Sequence, residues 1–380
     1  MACDHGPLAG VRIVEIAGIG PAPFCCMMLA DQGAEVIRVN RLTPGALDLG
    51  DSRRDILNRS RRTIGIDLKH PQGVALVHRL SRRVDGLVEG FRPGVMERLG
   101  LGPDVLLETN PTLVYGRMTG WGQTGPLANS AGHDINYIAL SGALAAIGEP
   151  DGAPVPPLNL VGDFGGGMMM AFGMLAAILQ ARETGKGQVV DCAMTEGSAL
   201  LMAMIYSLRG QGRWQDTRGV NMLDGGAHFY GVYETSDGGH MAVGPVEPQF
   251  YRLFIDLLGL AEDARFVAQN DPARWAALRA ELAQVFRTRT RAEWAAVFEG
   301  TDACVAPVLT MHEAPEHSHN AARGSFVELE GMIQPAPGPR YSATPNPAPT
   351  LPADDTDALL AEAELTDADV SRLREQGVIA

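Results

Sequence analysis

Val11-Arg12-Ile13-Val14-Glu15-Ile16-Ala17 is followed by Gly18-Ile19-Gly20-Pro21-Ala22-Pro23, and Glu35-Val36-Ile37-Arg38-Val39 comes next. The first run reads as a strand, rich in Val and Ile. The Gly/Pro turn after it opens a helix over residues 23–31, which Gly33 stops. The third run is a second strand. A strand–helix–strand unit of this length predicts parallel pairing with a right-handed crossover.

The same alternation continues outward. Strands are expected at 63–68, 86–91, 112–118 and 188–192. Helices are expected at 71–83 and 95–99, two long ones after His133 and Asp163, and another at 194–206. Beyond residue 226 the pattern changes. Segments 228–234 and 240–243 alternate around Ser236-Asp237-Gly238-Gly239, a hairpin turn signal. Helices at 247–258, 274–286 and 291–298 and a strand at 304–309 complete a smaller α+β unit. Residues 335–356 are proline-rich and extended, and Thr366-Asp367-Ala368-Asp369 opens a last helix. The domain reading is a large α/β domain over 1–208, completed by 340–380, with a linker over 209–226. The small domain spans 227–310 and a return linker 311–339.

At 380 residues the chain exceeds what one core usually organises. Its 46% hydrophobic and 20% charged residues are ordinary for a globular protein, and the net charge of −14 argues against nucleic acid as a partner. Cys3, Cys25, Cys26, Cys192 and Cys304 are odd in number and lack CxxC spacing. That pattern points to reduced thiols, with neither a zinc site nor a disulfide framework. The N-terminus shows no signal-peptide pattern, so a cytoplasmic location is expected. The uncharged stretch 165–181 is at the lower edge of membrane-spanning length. It begins with three glycines beside Asp163 and ends at Arg182, which favours a buried core helix over a span.

Gly18-Ile19-Gly20 imitates the start of a dinucleotide-binding turn. However, Pro23 stands where close packing wants Gly or Ala, and Asn40-Arg41 replaces the acidic ribose ligand, so a nicotinamide is rejected. Basic charge gathers at Arg53, Arg54, Arg59, Arg61, Arg62 and Lys69, followed by Arg82, Arg83, Arg92 and Arg98. It reads either as a solvated basic face or as a clamp for a phosphate-bearing handle, since arginine's planar fork suits phosphate. His312, His317 and His319 lie in a proline-interrupted region without ligand spacing, and no metal is expected there.

The residues with the most chemistry are His133, in Gly132-His133-Asp134-Ile135-Asn136-Tyr137, and Asp163, in Gly162-Asp163-Phe164-Gly165-Gly166-Gly167. Both stand where a loop turns into an apolar helix. Each can be a helix cap, a role Asp fills well and His poorly. Together they suggest acid–base work beside a developing anion. Glu247, in Gly244-Pro245-Val246-Glu247-Pro248-Gln249, reads from its position as a first-turn glutamate favoured by the helix dipole. Met168, Met169, Met170, Met174, Met194, Met202 and Met204 read as core filling, or as an adaptable apolar surface.

Taken together, Gly120-Trp121-Gly122-Gln123-Thr124-Gly125-Pro126, the run from Gly132 to Tyr137, the run from Pro156 to Gly167 and Glu247-Pro248-Gln249-Phe250 resemble the α-methylacyl-CoA racemase family. That family is part of the family III CoA-transferase superfamily. The resemblance runs in order from Leu8 to about Arg340. It implies a Rossmann-like large domain, a smaller α+β domain and an interlocked homodimer whose active sites are shared between subunits. It also implies an acyl-CoA substrate and no cofactor, with racemisation by proton transfer through an enolate. His133 and Asp163 match the catalytic positions, and Glu247 matches the acid that pairs with the histidine. The backbone N–H near Asp134 matches the oxyanion donor. Arg41, Arg62, Arg92 and Arg98 are assigned to CoA, and Met194, Met202 and Tyr230 to the acyl chain. The rival within the superfamily is a CoA-transferase that uses Asp163 as nucleophile.

Overall fold

The computed structural model describes residues 6–43 and 54–380, so Cys3 and Arg53 lie outside the described residues. The larger of two compact units comprises residues 1–141, 158–201 and 322–380, and the smaller comprises 142–157 and 202–321.

In the larger unit β1 (Arg12–Ile16), α1 (Pro21–Asp31) and β2 (Glu35–Asn40) form the opening crossover. β3 (Arg61–Gly65), α2 (Pro71–Ser81), β4 (Gly86–Glu89), α3 (Val95–Arg98), α4 (Pro103–Thr109) and β5 (Val114–Thr119) follow. Next come α5 (Asp134–Leu140), α6 (Gly165–Thr184), β6 (Gln188–Ala193) and α7 (Met194–Leu201). The sheet runs β3-β2-β1-β4-β5-β6, all parallel, and Ala353–Asp354 adds a seventh parallel strand beside β3. Successive strand residues face opposite sides, as pleating requires. Val14, Ile37, Leu87 and Tyr115 join one core with Leu76 of α2 and Leu359, Val378 and Ile379 of the C-terminal segment. Ile13, Val36, Val88 and Val114 join the other, with Leu29 of α1 and Met170 and Met174 of α6. A sheet buried on both faces explains why its strands read as nearly continuous apolar runs.

Helix α6, with the turn before it, is long and apolar enough to cross a membrane by length and composition. Its Met170, Ala171, Met174, Ala177, Ile178 and Ala181 are packed into the core, which accounts for one face of its hydrophobicity, while Met168, Phe172 and Leu179 are exposed. The triple glycine lets it approach its neighbours. A Cβ at Gly166 would lie 2.8 Å from Met194 Cγ, and one at Gly167 2.8 Å from the Pro21 carbonyl oxygen.

Charged residues are buried inside this unit. Glu15, fully inaccessible in β1, receives the guanidinium groups of Arg38 and of Arg61, the latter at 3.0 Å. Arg59 pairs with the buried Asp31 and donates to Gln334 Oε1 at 2.8 Å. Arg59 and Arg61 of the basic cluster are therefore structural.

The smaller unit contains α8 (Ala203–Gly210), β7 (Gly231–Glu234), β8 (His240–Val243), α9 (Pro248–Leu257), α10 (Pro272–Phe286), α11 (Arg291–Phe298) and β9 (Val305–Pro307). β7, β8 and β9 form an antiparallel sheet in that order. Phe229, Phe254, Phe286, Trp275 and Trp294 dominate its core. His228 is fully buried there. Its Nε2 lies 2.7 Å from Tyr251 Oη, whose hydroxyl donates to the Phe266 carbonyl. The imidazole therefore donates from Nε2 and leaves Nδ1 without a partner among the described residues. Burial pushes its pKa down to about 4. An unfolded chain takes up this proton below about pH 6.5, whereas the folded one refuses it until about pH 4. Stability should thus fall by up to about 3 kcal/mol as pH drops through that window. Urea denaturation from pH 7 to 4.5 checks this, with His228→Gln expected to flatten the dependence.

Three expectations differ from the structure. Helix α5 is short, ending at Leu140 before Gly142 at φ +86°, a left-handed position that breaks a helix. The helix expected over 194–206 is two helices, α7 and α8, separated at Met202. Residues 209–226, read as a linker, belong to the smaller unit and are tied together by Asn221 and Asp224, which hold the backbone of 215–226.

Candidate active site

In an open parallel sheet, ligands bind beyond the carboxyl ends of the strands where the strand order reverses direction. Here that place lies between β1 and β4. The loop after β1 carries Gly18–Gly20, the segment after β2 carries Arg41, and the loop after β4 carries Phe91 and Arg92.

Asp163 is at this crevice. A Cβ on Gly20, which has φ +70°, would lie 3.2 Å from Asp163 Oδ2. The aspartate is part of a π-helical turn, Leu160–Phe164, that runs directly into α6. It is therefore inside the helix rather than its cap. The capping function falls to Asp134, whose Oδ1 accepts the Gly162 N–H at 2.7 Å and the Asp163 N–H at 2.8 Å. Asn159 Nδ2 donates to Asp163 Oδ2 at 3.2 Å. Burial holds the Asp163 carboxyl above the usual carboxylate range. The amide of Asn159 opposes that rise, the charge of Asp134 adds to it, and His133 opposes it. A raised pKa makes Asp163 a stronger base when ionised and keeps it able to return a proton.

His133 is the residue before α5 and is exposed, with φ −134° and ψ 173°, and Asn136 Oδ1 accepts its backbone N–H at 3.0 Å. The structure thus brings His133, Asp134 and Asp163 into one neighbourhood. Tyr137 lines it from the same helix. Its hydroxyl donates to the Gly132 carbonyl, and its ring meets Trp121 edge-on at 4.8 Å. Burial raises the Tyr137 phenol to about 12, the charge of Asp163 adding to the rise and that of Arg92 opposing it.

The arginines separate into two groups. Arg41, Arg92 and Arg98 are exposed, and Arg41 lies over the Phe91 ring at 5.9 Å. Arg62, by contrast, is held by Glu35, by Asp355 at 2.7 Å and by Glu362 at 2.8 Å, which raises its pKa. A guanidinium already satisfied by three carboxylates is a poor phosphate ligand, so Arg62 is removed from the CoA-contact set. Met194 is likewise core, 7% exposed and packed on Gly166. Within the smaller unit, Glu247 is the exposed N-cap of α9, and burial raises the Cys304 thiol with the charge of Glu247 adding to the rise. Met202 and Tyr230 are partly exposed in that unit. No group of three or more potential metal ligands occurs among the described residues, the three histidines at 312–319 included.

The profile of CoA-transferase family III matches residues 8–355. The chain belongs to CoA-transferase family III. It is 48% identical to the α-methylacyl-CoA racemase of Mus musculus over 340 residues, 89% of this chain and 87% of that one. The racemase of Homo sapiens is also 48% identical, over 342 residues and the same shares. A crystal structure of a CAIB/BAIF family protein from Brucella suis superposes with a TM-score of 0.80 at 26% identity, covering 95% of this chain and all of that one.

For this family III chain, sequence reasoning missed two residues of the site. Asn159 was legible only as part of the Pro156–Gly167 run, although its spacing of four from Asp163 suits a helical pair. The Asp134 side chain gave no signal, because its contacts lie 28 and 29 residues away. Gly20→Ala tests the crevice. The added Cβ is strained at positive φ and presses on Asp163 Oδ2, so activity should fall about tenfold or more while stability drops by only about 1 kcal/mol. Steady-state rates and a denaturation curve check this prediction.

Proposed function

We propose that this protein is an α-methylacyl-CoA racemase, interconverting (2R)- and (2S)-2-methylacyl-CoA thioesters. One observation carries the reading. A chain 48% identical to two such racemases also has His133 close enough to Asp163 for its charge to act on that carboxyl. A hydrogen next to a thioester carbonyl is weakly acidic, and its removal leaves an enolate. Racemisation needs one group to take that proton from one face of the carbon and another to return a proton to the opposite face. His133 and Asp163 fill these roles and exchange them with direction. The net change is inversion at one carbon, with no atom gained or lost.

In the proposed homodimer, whose active sites are shared between subunits, Glu247 of one subunit is proposed to orient and charge the imidazole of the other. The N–H of Asp134, in the first turn of α5 where backbone donors lack helical partners, is proposed to bind the enolate oxygen. Arg41, Arg92 and Arg98 are proposed to hold the CoA portion, and Met202 and Tyr230 the acyl chain. The scheme needs no cofactor. A homodimer is part of this proposal, supported by apolar side chains turned outward on one unit: Phe172 and Leu179 of α6 are 75% and 71% exposed, and Leu200 of α7 is 64% exposed. Free thiols at Cys25, Cys26, Cys192 and Cys304 support a reducing, cytoplasmic compartment.

The rival transferase reaction is tested by supplying a 2-methylacyl-CoA with a free carboxylic acid as acceptor. The racemase reading expects no acyl-CoA of the acceptor to form. Its formation at a rate comparable to racemisation would restore Asp163 as a nucleophile.

A further inference from the structure

We infer that the Asp134 carboxylate is a positioning group that fixes the spacing of His133 and Asp163, plugging the helical turn of one acid–base residue while adjoining the other in the chain. The inference rests on the racemase reading for its consequence, though its geometry is independent of it.

The first N–H groups of any helix lack partners within the helix. A side chain at the N-cap usually supplies them, but Asn159, the residue in that position here, makes no capping bond. Asp134 reaches across instead and binds the third and fourth N–H groups of the turn with a single oxygen, Oδ1. The approach is close enough that a Cβ on Gly162 would lie 2.5 Å from that oxygen. Asp134 is only 7% exposed, and its Oδ2 is buried without a partner among the described residues. A buried carboxylate oxygen left unpaired is costly, and it places a second negative charge beside Asp163 that a neutral cap would not.

Asp134 is the first residue of α5, and His133 is the residue immediately before it. One peptide bond therefore joins the cap of Asp163's helix to the imidazole. The groups facing Asp163 are His133, Asp134 and Tyr137 from α5 and Asn159 from its own turn. Next to it along the helix, α1 and α7 pack Phe24, Met194 and Leu201, which carry no charge, against Phe164 and Gly165–Gly167, and Gly20 of the loop after β1 lies against Asp163 Oδ2.

Two variants separate geometry from charge. Asp134→Asn keeps an oxygen acceptor for both N–H groups and removes the charge, whereas Asp134→Ala removes both. The Asp163 carboxyl is followed by carbon-13 NMR, which needs no substrate, and the pH profile of α-proton exchange is recorded alongside. In Asp134→Asn, Asp163 should titrate lower and the acid limb of kcat/KM should move down by roughly half a pH unit or more, with KM near wild type. In Asp134→Ala, kcat should fall about tenfold or more through misplacement of the two groups. Unmoved titration of Asp163 in the asparagine variant overturns the inference, as does wild-type kcat in the alanine variant. A wild-type protein without α-exchange would instead overturn the racemase reading, and the NMR titration would still decide the role of Asp134.

Discussion

Alanine in place of His133, or of Asp163, is expected to lower racemisation by roughly 10²- to 10⁴-fold, the usual contribution of a positioned acid or base. Racemisation uses both groups in every turnover, one as base and one as conjugate acid, so neither substitution should leave one direction intact. The double variant should be little worse than either single one, because groups acting as a unit are not additive. CoA affinity should stay within a few-fold of wild type, since either substitution leaves the arginines assigned to CoA in place. Initial rates in both directions, with CoA binding measured by calorimetry, check this. If either variant retained wild-type exchange, the two-base assignment would fail.

The second large effect concerns stability. Glu15 lies at the centre of the sheet, inaccessible to solvent, between the guanidinium groups of Arg38 and Arg61. Arg61 also donates to the carbonyls of Arg59 and Pro23, at 2.8 and 2.7 Å. Glu15→Ala leaves two buried cations without their shared anion. Removing one partner from a buried ionic cluster typically costs about 3–5 kcal/mol, a large part of a domain's total stability. Denaturant unfolding should show this loss in the transition of the larger unit. A loss below about 1 kcal/mol would show that water or another group rescues the arginines.

Glu15 also shows where sequence reading reaches its limit. Its neighbours Ile13, Val14 and Ile16 carry a strand signal strong enough to fix the element and its parallel partners. Nothing local reveals that the charge points inward, because its partners are 23 and 46 residues away. The same cause misled the reading of the arginines. Arg59, Arg61 and Arg62 look like a basic face in one dimension, yet each is claimed by a carboxylate from a distant segment. Residue types at the site were legible, since His133 and Asp163 stand out against glycine-marked turns. Their arrangement was not. Asp163 was read as a possible cap, but the cap is Asp134, whose role depends on packing α5 against the turn Leu160–Phe164. Helix lengths failed for a related reason. Left-handed Gly142 ended α5 before its apolar pattern did.

The central claim is that this chain moves a proton on and off the carbon beside a thioester. The most direct measurement is to incubate the protein with a single enantiomer of a 2-methylacyl-CoA in deuterated water and follow the α-position by NMR together with optical purity. The account predicts that deuterium enters that position as the enantiomeric excess decays, with no second acyl acceptor present. Acyl transfer between two acceptors, with the α-hydrogen and the configuration retained throughout, would contradict it.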